Sequence, residues 1–300
     1  MRVATHNGSF HADEVFAIAA LQLLHGDALE IVRTREPHLL AEADLRVDVG
    51  LRDDAAAGDF DHHQRGGAGE RPNGIRYASF GLVWRAFGAQ IAGSDEIAKR
   101  IDEAIVQTVD ANDTGQNVVE PLVEGFSPFS VPYAIASLNP NWDEDASGAG
   151  KQAAFDAALA LAGSILERAL ASARATERAA ELVRSAIARA SDPRLIELDR
   201  GMPWHRAVLA SAPEALFVVY PREEDWGLQA VPRVLGEFAN RKDLPEAWAG
   251  LTGDELAAVT GVADARFCHS GRFMCVAGSR DGVMALAAQA LADGSGAGAS

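Results

Sequence analysis

Residues 1–24, MRVATHNGSFHADEVFAIAALQLL, carry the pattern that decides the fold. Arg2–Thr5 is short and β-prone and runs into a Gly/Asn/Ser stretch. From Asp13 to Leu24 the apolar residues Val15, Phe16, Ile18, Ala19 and Leu23 recur at helical spacing. The alternation continues outward. Leu29–Thr34 (LEIVRT) reads as a strand, Pro37–Glu42 as a short helix, Leu45–Val49 (LRVDV) as a strand closed by Gly50, and Asp59–His62 as a fourth strand. Strands alternating with helices predict an α/β fold, with a parallel sheet covered by helices on its faces.

Beyond this opening, Gly66–Gly74 (GGAGERPNG) is a turn-rich loop, and helices are expected near Ser79–Ala92 and Ser94–Val109. Glu120–Asn141 is irregular, and Lys151–Ala190 is a long Ala-rich helical stretch. Its arginines 168, 174, 178, 184 and 189 are interspersed with Glu167, Glu177 and Glu181, which reads as a solvated face. Ser191–Pro193 marks a boundary. Strands are expected at Leu195–Leu198, Leu216–Tyr220, Gly227–Val231 and Phe273–Ala277, and a last helix at about Asp281–Leu291. The expected organisation is an α/β first domain over 1–150, a helical connector over 151–190, a smaller α/β domain over 191–292, and a disordered tail over 293–300.

The 300 residues include 27 Lys and Arg against 43 Asp and Glu, a net charge of −16. Such a chain does not attract nucleic acid through its bulk field, so a nucleic-acid substrate needs a local basic groove or bound cations. The two cysteines, Cys268 and Cys275, imply no disulfide framework and read as small apolar strand residues. No apolar run approaches the ~20 residues of a membrane span, and the N-terminus has no signal-peptide pattern. A cytoplasmic protein without membrane contact is expected. Trp142, Trp204, Trp226 and Trp248 offer faces for base stacking, although burial is the simpler expectation for each.

Chemistry concentrates in four short pieces. They are His6 to Glu14 (HNGSFHADE), Asp48 within Val47–Gly50, Asp61-His62-His63-Gln64, and Asp110-Ala111-Asn112-Asp113. The first three sit at the ends of predicted strands, and that edge of a parallel sheet is where ligands bind. His6, His11, Asp13, Asp48 and His62 are therefore expected to converge. Asp48 interrupts an apolar strand, where a carboxylate is costly unless paired or metal-bound. Asp13 and Glu14 have a second explanation, because acids in a first helical turn favour the macrodipole. Mixed imidazole and carboxylate donors suit Mn, Fe, Co or Zn, and a set this large suits two ions, with Asp48 as the bridging carboxylate. Of the adjacent His62 and His63, one is expected to face metal and the other substrate.

With VDVG, FDHHQ and VDANDTG, the THNGSFHADE motif resembles the DHH phosphoesterase superfamily. More narrowly it is similar to the melanocyte proliferating gene one family, also called metal-dependent protein hydrolase. Leu138-Asn139-Pro140-Asn141-Trp142 and Cys268-His269-Ser270-Gly271-Arg272-Phe273 agree, so the resemblance covers nearly the whole chain. It implies a DHH-type N-terminal domain with a dinuclear site, often manganese, and a smaller C-terminal domain that helps to bind substrate. It implies His6, His11 and Asp48 for one ion. For the other it implies Asp13, Asp48, His62 and a carboxylate of the Asp110/Asp113 pair, with Asp110 first and Asp113 as alternative. His63 is implied to face the phosphate, giving His63 and Asp48 the catalytic roles, and His269, Ser270, Gly271 and Arg272 to contact substrate. His11 stands where the superfamily commonly has an acid, and Ser137 where the family often has Arg before Leu-Asn-Pro.

The expected function is metal-dependent phosphodiester hydrolysis, a 3′–5′ exonuclease on RNA or short oligonucleotides acting through two divalent ions. Manganese is expected first, with Mg, Co and Zn as alternatives. The other readings are a hydrolase of a small phosphate ester or anhydride, and a metal-binding regulatory protein without turnover, with homo-oligomers possible in each case. Proteolysis has no motif to support it, since neither HExxH nor a recognisable Ser or Cys nucleophile pattern occurs.

Overall fold

The structure is a computed structural model that describes residues 1–120, 122–126, 128–145, 147–237 and 239–294. It divides into two units, Met1–Arg174 and Ala175–Ser300. The tail expected to be disordered lies outside the described residues from 295 onward.

In the first unit β1 (Arg2–Thr5), β2 (Glu30–Arg33), β3 (Leu45–Val47), β4 (Asp53–Asp54) and β5 (Asp59–Phe60) form one sheet in the order β2-β1-β3-β5-β4. The first four in that order are parallel, and β4 closes the edge antiparallel to β5. β1, β3 and β5 are adjacent and parallel, so the residues that follow their C-terminal ends lie along one sheet edge. Those residues are His6, Asp48 and Asp61-His62-His63. Two strands stop earlier than the sequence pattern suggests. Asp48 takes φ +56°, which ends β3 at Val47, and β5 stops at Phe60.

Helix α1 (Ala12–His25) is buried without a break from Ala12 to Leu21. An amphipathic surface helix would show a polar stripe there; this one is a central helix. Phe16 meets Phe80 of α3 (Ser79–Ala92) at 5.5 Å between ring centroids. The core joins Val3, Val47, Phe60, Phe16 and Phe80 to Phe155, Leu159 and Leu166 from α7 (Gly148–Arg189). α2 (Pro37–Ala41) precedes β3, and between α3 and that last helix come α4 (Asp95–Ile101), α5 (Gln107–Asp113) and α6 (Val131–Ala136). A π-helical turn over Asp102–Val106 joins α4 to α5, so this helical segment runs on past its expected end at Val109. α7 (Gly148–Arg189) contains the division between the units. Within its arginine series, Arg174 donates to the carbonyls of Ile91 and Ala92, the last turn of α3, at 2.8 and 3.2 Å. Cationic donors stabilise a helix C-terminus in this way.

The second unit has a sheet of β6 (Leu195–Glu197), β7 (Phe217–Pro221), β8 (Trp226–Ala230), β9 (Ala265–Cys268) and β10 (Met274–Ala277), in the order β6-β7-β8-β10-β9. Only β6 and β7 pair in parallel. The period-2 rule sorts β7: Phe217 and Val219 enter one core with Trp248, Leu256 and Leu286, while Val218 enters another with Ile196, Trp204 and Val208. Helices α8 (His205–Ser211), α9 (Gly253–Thr260) and α10 (Arg280–Ala292) cover the sheet. Cys268 and Cys275 are opposite one another on β9 and β10, free and fully buried. Trp204 and Trp248 are buried, but Trp142 departs from the expected burial and is 95% exposed. Among the described residues no helix is long and apolar enough to cross a membrane.

Candidate metal centre

His6, Asp48, Asp61, His62 and His63 arrive at the site because β1, β3 and β5 end there. Asp48 occupies the centre. Its Oδ2 lies 3.2 Å from His6 Nε2, and its Oδ1 lies 3.3 Å from His63 Nδ1 and 3.7 Å from His62 Nδ1. Ser79 Oγ donates to Oδ1 at 3.1 Å. One carboxylate thus turns its two oxygens toward two separate groups of imidazoles. Backbone torsion sets this aim: Asp48 and Leu51 are left-handed at +56° and +58°, with Gly50 at +109° between them. Asp and Asn tolerate that region better than other side chains, and Leu tolerates it poorly.

α1 brings the next set. Glu14, fully buried, places Oε1 3.0 Å from His6 Nε2 and accepts the backbone N–H of His11 at 3.0 Å. His11 sits one residue before the helix, with its ring 5.9 Å from that of His6. Donor atoms of His6, His11, Glu14 and Asp48 all lie within 4.8 Å of one another. Glu14 is the member that sequence reasoning assigned to the macrodipole. The loop before α1 is pinned by Asn139, whose side chain accepts from Phe10 N at 2.9 Å and donates to Phe10 O at 2.8 Å. Within the Leu-Asn-Pro-Asn motif, Asn139 thus holds the backbone of this loop at Phe10.

Asp13 faces a second group. Its oxygens accept the N–H groups of Ser79 and Phe80, at 2.9 and 2.7 Å, at the start of α3. A helix N-terminus is a favourable place for a carboxylate. Asp13, His62 and Asp113 each offer a donor within 4.8 Å of the others, and His62 Nε2 is 3.1 Å from Asp113 Oδ2. Asp110 points elsewhere. It is fully buried, accepts from Gly81 N at 2.9 Å, and pairs with Arg71 Nη1 at 2.8 Å. Burial pushes its carboxyl up to about 7 against the opposing pull of Arg71.

The electrostatics are those of a site that wants cations. Burial raises the Asp13 carboxyl well above its ordinary range, and the charges of Asp48, Asp113 and Asp110 raise it further. Burial alone would do the same to Asp48, but hydrogen bonds from His6 and His63 hold it well below the usual carboxylate range. His6 is driven the other way: although burial opposes its charge, hydrogen bonds to Asp48 and Glu14 push it up to about 10. In metal-free protein a proton on His6 thus sits between two carboxylates where a cation would fit. These clustered imidazoles and carboxylates could hold metal ions.

His63 differs from its neighbour. Half of its side chain is exposed. Nδ1 is held by Asp61 Oδ1 at 2.8 Å, and Asp61 also accepts the backbone N–H of His63 and of Leu51. Hydrogen bonding to Asp48 and then to Asp61, against burial, pushes His63 up to about 9. Asp61 is therefore a positioning group for this ring and for the turn at 48–51.

The remaining predicted residues lie in the second unit, in the turn joining β9 to β10. Gly271 N–H donates to His269 Nδ1 at 2.9 Å, and the His269 ring is 4.3 Å from Phe273. A Cβ on Gly271 would come within 3.2 Å of His269 Nδ1. Ser270 stands between them in this turn. The left-handed residue is Arg272 at φ +56°, and its guanidinium donates to Asp243 at 3.0 Å.

A family model described as an uncharacterised protein family (UPF0160), and titled for MYG1 exonuclease, matches residues 2–291. The human protein named MYG1 exonuclease is 33% identical over 97% of this chain and 86% of its own length. A Chlamydia trachomatis protein named MYG1 protein is 33% identical over 93% of this chain and 92% of its own. A Saccharomyces cerevisiae MYG1 protein is 30% identical over 97% and 96%.

Proposed function

The chain belongs to the MYG1 family, and from that premise we propose that it is a metal-dependent phosphodiesterase that trims RNA or short oligonucleotides from the 3′ end. The observation that carries the reading is the single carboxylate of Asp48 facing two groups of donors. In this reading the centre would hold two divalent ions. His6, His11 and Asp48 would hold one, with Glu14 beside them. Asp13, Asp48, His62 and Asp113 would hold the other, the choice of Asp113 over Asp110 resting on its contact with His62. Manganese suits the donors, as do Co and Zn, while Mg suits the carboxylates alone. When bound, such ions supply Lewis acidity, which activates water and offsets charge on the phosphoryl group.

The chain's own groups do the rest. Asp61 fixes one ring nitrogen of His63 and leaves Nε2 as the other. Half-exposed and oriented in this way, the His63 ring is suited to contact a phosphoryl oxygen or to protonate a leaving oxygen. Ser79 and the N-terminus of α3 hold Asp48 and Asp13 in place without supplying positive side chains. His269, Ser270, Gly271 and Arg272 of the second unit are assigned to substrate contact, with the family resemblance as their support. The superfamily assignment to DHH phosphoesterases rests on the same motifs.

The net charge of −16 favours a second reading, a small phosphate ester or anhydride as substrate. One experiment tests both. Metal-stripped protein is given RNA labelled at either the 3′ or the 5′ end, with Mn, Mg, Co or Zn added back. Stepwise shortening from the 3′ end that depends on the ion is the expected result. Intact RNA alongside hydrolysis of mononucleotide or pyrophosphate competitors would transfer the assignment to small substrates.

A further inference from the structure

A cavity of about 720 Å³ opens beside the centre. Its walls include His6, His11, Asp48 and His63, so one side is the metal-ligand cluster. The other walls belong to no assigned function. Among the described residues that line it, Arg35 is the one that carries a fixed positive charge, while Asp48 and Asp61 are acidic. Arg35 follows β2 and is exposed, but it is not loose: Nη1 donates to the Asn7 carbonyl and to Asn7 Oδ1, the latter at 3.0 Å. Arginine has five N–H donors. Nε and Nη2 of Arg35 have no partner among the described residues. A guanidinium anchored through one nitrogen, with an open edge beside an acidic centre, is arranged to receive an anion.

The third wall is apolar. Leu40, Val49 and Leu51 line it, and Leu51 is 65% exposed. Leu51 also holds a left-handed backbone at φ +58°, fixed by donation of its N–H to Asp61. The 48–51 turn that aims Asp48 thus also holds an apolar side chain out to solvent at the rim of the cavity. The cavity falls within the ~300–1,000 Å³ of small-ligand sites.

We propose that this cavity is a nucleotide subsite, in which Arg35 holds a phosphate of the substrate and the Leu40–Val49–Leu51 wall covers the attached sugar and base. The proposal deepens the phosphodiesterase reading and rests on it for the identity of the reacting phosphate. It accounts for how an acidic chain retains an anionic chain end: one fixed guanidinium acts locally where the bulk field repels. It also explains the mixed lining, since a phosphate alone would need no apolar wall.

The test compares the manganese-loaded wild type with Arg35→Ala, Arg35→Lys and Leu51→Ser, using adenosine 5′-monophosphate and adenosine as calorimetric probes. Arg35 is exposed, so its variants keep the fold. The wild type should bind the monophosphate more tightly than adenosine. Arg35→Ala should lose roughly 10- to 100-fold in monophosphate affinity and leave adenosine unchanged. Arg35→Lys, which keeps the charge but not the fork, should fall between. Leu51→Ser should weaken both probes by about the same several-fold factor. Equal binding of the two probes by the wild type, or monophosphate affinity unchanged in Arg35→Ala, overturns the proposal. RNA kinetics separate it from the reading beneath. RNA trimming with an unmoved KM in Arg35→Ala, and no loss of monophosphate, rejects the subsite and keeps the phosphodiesterase. No hydrolysis of RNA by the wild type, with the monophosphate loss present, keeps the subsite and rejects the phosphodiesterase.

Discussion

Asp48 holds a left-handed backbone conformation, and its two oxygens face different imidazoles. Neither property is legible in the string VDVG, where alternation reads as extended strand to Val49. The carboxylate itself was legible, as a charge interrupting an apolar run. The protonation of its neighbour makes a measurable consequence. His6, raised to about 10, is protonated at pH 7 in metal-free protein, and a cation can bind it only after that proton leaves. Metal binding should therefore release protons at pH 7, and affinity should rise with pH up to about 10, which calorimetry in buffers of different ionisation heat reads directly. Zero proton release would exclude His6 as a ligand. The same shift has a stability sign. His6 is raised above its ordinary 6.5, so its ion pairs contribute fully to metal-free stability below that pH, and the contribution is lost as pH rises through about 10. Asp113 and Asp110 separate by function in the same way. Asp113→Asn should lower Mn affinity by more than the ~10–100-fold typical of an outer-shell partner. Asp110→Asn should leave Mn affinity near wild type and destabilise the fold by about 1–3 kcal/mol through the Arg71 contact, measured by urea unfolding.

At the element scale, the geometry of α5 decides which groups Asp110 and Asp113 each meet. Helical periodicity from Ser94 carries Asp110 naturally, but the π turn at Asp102–Val106 adds a residue and rotates everything after it. The face that turns inward at Asp110 meets Arg71 and Gly81, while Asp113 reaches His62. No composition signal marks such a turn. Gly81 gives the packing at this point a test. A Cβ there would lie 1.9 Å from Asp110 Oδ2 and 2.9 Å from Arg71 Nη2. Gly→Ala inside a helix ordinarily gains about 1 kcal/mol. Here the clash should win, and Gly81→Ala should lose ~1–3 kcal/mol in urea unfolding. A gain in stability would show that α3 and α5 pack less closely than described. Elements with strong periodicity were legible: α1, α3, α7 and β1–β3 follow from apolar spacing. β4, β9, α6, α8 and α9 were not. β4 has two residues, and α6, α8 and α9 have six to eight, too short for a period to show. β9 (ARFC) has buried ends and two exposed residues between them, Arg266 and Phe267, so it shows no period-2 pattern.

At the scale of the molecule, sheet order converts a linear sequence into a site. β1, β3 and β5 are separated along the chain yet adjacent and parallel, so three motifs meet at one edge. That convergence was predictable from strand alternation, because ligands of parallel sheets bind at strand C-terminal ends. Glu14 was hidden by a sound alternative, since acids in a first helical turn need no metal to explain them. Net charge also reads differently with the structure in hand: the −16 is partly invested in Asp13, Glu14, Asp48 and Asp113, which gather where cations would neutralise them. The central claim is that Asp48 joins two ion sites into one centre. Manganese titration of metal-free wild type and Asp48→Asn tests it most directly, because asparagine tolerates the left-handed backbone and keeps the fold. Two manganese ions per chain in the wild type, and at most one in the variant, is the predicted result. Two ions retained by Asp48→Asn, or a single ion in the wild type, would contradict a shared carboxylate.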